Sequence, residues 1–210
     1  MDIQFHGANC LSLSTAGNKV RVVVDDNLAD LGGKSVTRPG DIALFTTAHG
    51  APAAETKLTI DMPGEYEVSD VSVYAIQARA HMEEGDTQTA TMYKIITRDL
   101  SIFISGHIYP DLTDDQLESI GMIDVMAIPV GGSGYTLDAI GALKIIKKIE
   151  PKIIIPTHYD MPGINYPVPQ QDLQHVLHEL SMEPKETTAK LKLKSAELPD
   201  ATQLIVLERS

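Results

Sequence analysis

The sequence predicts a mixed α/β (α+β) chain, rich in strands and poor in helices, and two observations carry that expectation. The first is a run of short β-branched or alternating segments that fills the chain as far as residue 107. The second is the stretch from Ile123 to Asp160, which reads as strand, glycine loop, helix, strand. Asp124 to Val130 (DVMAIPV) is a buried strand and Gly131-Gly132-Ser133-Gly134 a tight loop. Leu137 to Ile149 is a helix, with apolar residues recurring at three- and four-residue spacing. Lys152 to Ile155 is short and β-branched without alternation, as a strand covered on both faces would be. It ends at Pro156-Thr157-His158-Tyr159, which puts His158 at a strand's carboxyl end. Layered folds build sites at that edge, because a rigid sheet positions loops that stay open to solvent.

Taken in order, the chain opens with strands Ile3 to His6, Cys10 to Thr15 and Lys19 to Val24, the last two joined by an Ala16-Gly17-Asn18 turn. The third strand runs into Asp25-Asp26. Asp41 to Phe45 is the next strand and delivers Thr46-Thr47-Ala48-His49-Gly50-Ala51-Pro52. Strands at Lys57 to Ile60 and Glu65 to Val68 flank a Pro63-Gly64 turn. Val71 to Ile76 alternates as a half-buried strand does and leads to Arg79-Ala80-His81. The loop from Met82 to Gln88 carries Glu83, Glu84 and Asp86 around Gly85 and reads as a solvated turn. Thr91 to Thr97 and Leu100 to Ile104 form a hairpin through Arg98-Asp99, ending at Ser105-Gly106-His107.

Beyond the central unit, prolines stiffen the loop from Met161 to Pro167, and Pro169 to Leu180 reads as a short amphipathic helix. His175 and His178 lie three apart on it and read as surface or interface residues. Ala189 to Lys194 and Thr202 to Leu207 read as a closing hairpin, with Lys190, Lys192 and Lys194 on a solvated face.

At 210 residues, 43% hydrophobic and 22% charged, the chain is expected to fold as one domain over residues 1–210. No apolar run approaches the ~18 residues of a membrane span. The start, Met1-Asp2-Ile3-Gln4-Phe5-His6, lacks the basic and apolar regions of a signal peptide, so a cytoplasmic location is expected. Cys10 is the one cysteine, which excludes an intrachain disulfide and reads as a small apolar strand residue. A formal charge of −12 argues against nucleic acid as a partner and leaves a small molecule as the expected ligand. Oligomerisation stays open.

The histidines carry the chemistry. Phe45 to His49, Ile76 to His81, Ile104 to His107 and Ile155 to His158 each run from strand to histidine within a few residues. A single histidine so placed is more often structural than a ligand, but four that share one topological edge change the balance.

The segments DVMAIPVGG, YT and KIIIPTHY resemble the C-terminal half of the metallo-β-lactamase-fold hydrolases, in the branch that includes zinc-dependent hydrolases and ascorbate-phosphate lactonases. Pro63 to Val68 (PGEYEV) and Leu112 to Glu118 (LTDDQLE) extend the resemblance over most of the chain. Joined to the two observations above, it implies a four-layer αββα sandwich with the helices outside. It also implies a metal-dependent hydrolase whose metal motif is altered. The family's His-x-His-x-Asp-His loop keeps only its second histidine here, as His49; Thr47, Ala51 and Pro52 occupy the other ligand positions. His81 falls at the position of the third histidine of the first metal, and His107 stands where relatives place a metal-bridging aspartate. Asp25 resembles the aspartate that orders the metal loop, and an ordinary turn carboxylate is the competing reading.

The resemblance thus implies an all-nitrogen site of His49, His81, His107 and His158, suited to one Zn²⁺ or other late transition metal. Glu65 and Asp25 are the carboxylates on which catalysis could fall. The alternative is a metal-free pseudoenzyme, a module that binds a small ligand or a protein in the old cleft. The Gly131 to Gly134 loop ahead of a helix offers backbone N–H groups to an anion under either reading.

Overall fold

A computed structural model describes residues 1–15, 20–47, 51–85, 87–98 and 100–210. The turn expected at Ala16-Gly17-Asn18 and His49 itself lie outside the described residues.

The long apolar strands of the centre dictate the larger sheet. β1 (Asp2–Gly7), β2 (Cys10–Ser14), β3 (Arg21–Val24), β4 (Ile42–Leu44) and β5 (Leu58–Ile60) come first. β6 (Gly64–Val68), β7 (Val71–Ala78), β8 (Ala90–Ile96) and β9 (Ser101–Ile104) follow. After them come α1 (Asp114–Ile120), β10 (Val125–Pro129), α2 (Ala139–Ile149), β11 (Ile153–Thr157) and α3 (Leu173–Leu180). β12 (Pro184–Thr188), β13 (Leu191–Lys192) and β14 (Gln203–Leu207) complete the chain. The strands form a six-stranded sheet ordered β13-β1-β2-β3-β4-β5 and an eight-stranded sheet ordered β12-β14-β11-β10-β9-β8-β7-β6. Every residue of β10 and β11 is buried, as their unbroken apolar runs require of strands covered on both faces. β7 instead alternates between buried and partly exposed positions. One apolar core joins the two sheets, with Ile3, Phe5, Leu11, Leu13 and Leu44 from the smaller and Tyr93, Phe103, Met126 and Ile154 among those from the larger. This is the expected sandwich.

Among the described residues all three α-helices connect strands of the eight-stranded sheet. β9, β10 and β11 run parallel, so each link between them must cross over, and α1 and α2 make those crossings. The outer face of the six-stranded sheet is covered by loops: Leu28 and Leu31 from one and Ile164 from another pack on Ala8, Cys10 and Val23. Cys10 is buried there, and burial pushes its thiol well up, which matches the apolar role expected of it.

The helices begin where acceptor side chains can cap them. Thr113 and Gln116 form a capping box on α1, with Thr113 Oγ1 accepting from the Gln116 N–H and Gln116 Oε1 from the Thr113 N–H. Asp138 caps α2 through the Gly141 N–H, so the helix starts at Ala139 rather than Leu137. α3 likewise starts at Leu173, not Pro169, because Asp172 caps it. Gln171 before it is held in extended backbone pairing, donating to Gly131 O at 2.9 Å and accepting from the Asp160 N–H at 2.8 Å.

The expected closing hairpin does not exist. β13 pairs with β1, whereas β14 pairs in parallel with β11 and β12 in the other sheet. Leu191 and Leu193 bury at the edge of the smaller sheet, and a short 3-10 turn at Ser195–Glu197 followed by Pro199 carries the chain across. Similarly, Pro63-Gly64 joins strands of different sheets, since β5 ends the smaller one and β6 edges the larger.

Candidate metal centre

Strand direction brings the histidines together. β7 and β9 are both antiparallel to β8 and so run the same way, and β9, β10 and β11 are parallel neighbours. The segments after β7, β9 and β11, carrying His81, His107 and His158, therefore leave the eight-stranded sheet at one edge. The His81 N–H donates to His107 O at 2.8 Å, and the rings of His107 and His158 meet edge to face with centroids 4.5 Å apart.

His158 is held on every side. Its backbone lies in the left-handed region at φ 55° and its N–H donates to Ala8 O at 2.7 Å, which ties the end of β11 to the turn between β1 and β2. Its ring lies between Tyr135, stacked at 5.6 Å, and Tyr166, tilted at 4.9 Å. The Tyr166 hydroxyl donates to Tyr159 O at 2.7 Å. The ring Nδ1 contacts Gln170 Oε1 at 3.1 Å, and Gln170 Nε2 donates to Val168 O at 2.9 Å, which fixes the amide with its oxygen toward the ring. An amide oxygen only accepts, so His158 carries its proton on Nδ1 and leaves Nε2 with a free lone pair. Gly131 is required beside it, because a side chain there would run into His158 O and Gln170 Oε1.

Burial sets the charge. It pulls the His158 imidazole down to about 4, against a smaller opposing effect of the Gln170 bond. Burial, then the neighbouring His158 and His81, holds His107 well below the usual histidine range. His107 and His158 are therefore neutral at neutral pH, the form that binds metal. The Nδ1 atoms of His81 and His107 are buried without a hydrogen-bond partner.

A buried polar network lies beneath the site. Asp25 accepts from the Thr46 N–H at 2.7 Å, the Thr46 hydroxyl at 2.6 Å and Asn9 Nδ2 at 2.6 Å. Asn9 Oδ1 in turn accepts from the Thr157 hydroxyl at 2.6 Å. This chain runs from the end of β4 across to the residue before His158. Burial raises the Asp25 carboxyl despite these bonds. Asp25 thus holds Thr46, the second residue after β4.

Other expected positions fall elsewhere. Glu65 is exposed on the edge strand β6, opposite Tyr74, which precedes His81 by seven residues along β7. Among the described residues Glu65 forms no group with two or more other His, Cys, Asp or Glu side chains that could hold an ion. β6 is the edge strand of the larger sheet and runs antiparallel to β7, with Gly64 opposite Ala75 and Val68 opposite Val71. Thr47 makes an isolated bridge to Ala90 and is exposed, as is Ala51, while Pro52 is half-buried. His175 pairs with Glu179 at 3.3 Å on the surface of α3. Asn9, Gln170, Tyr135 and Tyr166 were not singled out by sequence, and only the tight Gly7-Ala8-Asn9 turn and the Tyr135 that follows the glycine loop gave any hint of them.

Imidazole donors suit a late transition metal, and those of His81 and His107 each have an unpartnered buried nitrogen. Among the described residues, however, no group of three or more His, Cys, Asp or Glu side chains is arranged to hold an ion.

A family model described as a β-lactamase superfamily domain matches residues 2–158. Among solved structures, the chain is similar to a protein from Thermotoga maritima assigned as a Zn-dependent hydrolase of the metallo-β-lactamase superfamily. The TM-score is 0.75 at 22% identity, covering 99% of both chains. It is also similar to Igni18, a metallo hydrolase from Ignicoccus hospitalis, with a TM-score of 0.60 at 16% identity over 100% of this chain and 95% of that one. An isothiocyanate hydrolase from Delia radicum gut bacteria gives a TM-score of 0.60 at 13% identity, over 97% and 96%.

Proposed function

Because the chain belongs to the β-lactamase superfamily domain family, we propose that it is a hydrolase-like protein acting on a small molecule at a remodelled, single-metal site. His81, His107 and His158, with His49, would hold one Zn²⁺ or other late transition metal. The observation that supports this most is the neutral pair His107 and His158, edge to face at 4.5 Å with the His158 tautomer fixed by Gln170. A metal bound by three imidazoles supplies a water acidified to near neutrality. The chain's own residues position and shield: Gln170 orients His158, Tyr135 and Tyr166 flank its ring, and Asp25 fixes Thr46 at the start of the histidine loop. With Ala51 in place of the family's aspartate, the hydroxide held between two metals has no counterpart.

The test is hydrolysis of p-nitrophenyl acetate with zinc supplied, alongside lactam, lactone and phosphodiester substrates. Expected is slow, zinc-dependent ester turnover that chelator and His107→Ala both remove, with the other three substrates turned over well under about 1 per second. Turnover of a lactam, lactone or phosphodiester at about 1 per second or faster would sink the single-metal reading.

A second reading is a non-catalytic module on the same fold. It is favoured by the lack, among the described residues, of a closed group of three metal donors. Absence of zinc-dependent turnover on every substrate would select it.

A further inference from the structure

The outer face of the six-stranded sheet carries a cavity that the histidine edge does not explain. It encloses about 530 Å³ and is lined by Gln4, Ser14, Arg21, Arg38, Asp41 and Lys190 among others. The strand pattern puts these groups there: Ile3 and Phe5 of β1 point into the core, so Gln4 and His6 point outward. The volume is that of a small-metabolite site. In a chain of net charge −12, three cations line this one cavity; Asp41 offsets Arg21 and Asp2 offsets Lys190, which leaves 3 − 2 = 1 positive charge.

The cations are built in to different degrees. Arg21 is fixed, its Nη1 donating to Asp41 Oδ2 at 2.6 Å and to Val36 O at 3.0 Å. Asp41 also accepts from the Arg38 N–H at 2.7 Å, which sets the start of the Arg38 side chain at the rim. Lys190 pairs with Asp2 at 2.6 Å. His6, Val36 and Ser210 form a wall shared with a second hollow of about 390 Å³, where Lys34 and Arg209 add further positive charge. The field is felt at His6, whose imidazole is pulled down to about 4 by burial first and then by Arg21, with Arg38 and Arg209 contributing and Asp26 opposing.

We infer that this cavity binds the phosphoryl group of a small phosphorylated metabolite, with Arg38, Lys190 and the free side of the Arg21 guanidinium as its cationic contacts. An anionic group matches this cationic lining, and guanidinium groups present donors in the planar fork that suits phosphoryl oxygens. Gln4 and Ser14 supply neutral hydrogen bonds, and Val36 and Pro39 an apolar wall for the carbon skeleton. The site is separate from the histidine edge, so the failure of either reading leaves the other standing.

Calorimetric titration of the full chain with glycerol 3-phosphate and with inorganic phosphate, at fixed ionic strength, tests this. Saturable binding of both probes at one site is expected, weakened at least about tenfold by Arg38→Gln and by Lys190→Gln. Lys147→Gln, on the exposed face of α2, should leave it unchanged. Arg38 is exposed, so Arg38→Gln is expected to fold normally, which its circular dichroism spectrum would check. Absence of saturable heat up to about 10 mM of either probe, or an affinity that Arg38→Gln leaves unmoved, would overturn the assignment. Equal competition by chloride at the same ionic strength would overturn it as well.

Discussion

Both carboxylate oxygens of Asp25 are bound by one residue, Thr46, whose N–H reaches Oδ1 at 2.7 Å and whose hydroxyl reaches Oδ2 at 2.6 Å. With Asn9 as third donor, removal of the carboxylate leaves three buried donors without an acceptor. Asp25→Ala should therefore cost roughly 2–4 kcal/mol of stability in denaturant unfolding. A loss below about 0.5 kcal/mol, the range of ordinary surface changes, would show that the network is not part of what holds the fold.

Thr46 is pinned from the other side by Gly106. A Cβ on Gly106 would lie 2.5 Å from Thr46 Cβ, and the glycine sits at φ +63°. Gly40 has a comparable backbone at φ +85° but nothing within 4 Å of its would-be Cβ. Gly40→Ala should cost only the backbone strain, about 1 kcal/mol, while Gly106→Ala should cost roughly 2–4 kcal/mol because overpacking is added. Equal losses in thermal unfolding would show that Thr46 moves aside freely.

His6 makes stability depend on pH. Its folded value of about 4 lies below the unfolded 6.5, so between those values the unfolded chain binds the extra proton. The stability that neutral His6 contributes is complete above pH 6.5 and is lost as pH falls toward 4. Unfolding free energies at pH 7.5 and 4.5 should fall less in His6→Gln than in the native chain, by roughly 2–3 kcal/mol. An identical fall in both would mean that His6 is not held neutral by its surroundings.

Much of this was legible in the sequence, and what was not has physical causes. β10 and β11 announced themselves because strands buried on both faces must be apolar throughout, and the histidines stood out because each follows an expected strand within a few residues. β12, with the sequence PKETT, was invisible because it is a mostly exposed edge strand that pairs only on one side, with β14. The partners of the terminal strands were misread because pairing is decided by which sheet Leu191 and Leu193 can bury against, and local pattern does not record that. The bond from Thr157 to Asn9 spans 148 residues, and that from His158 to Gln170 depends on one amide's orientation. Neither leaves a periodic trace. The place of Glu65 on an edge strand is likewise a property of the whole sheet order, which local pattern does not record.

The single-metal account is tested most directly by the metal content of the chain purified from zinc-supplemented cells, measured by plasma mass spectrometry. The account predicts close to one zinc per chain in the native protein and background levels in His107→Ala and His158→Ala, with the folded circular dichroism spectrum kept in both variants. Two ions per chain, none at all, or one ion retained in both variants would contradict it.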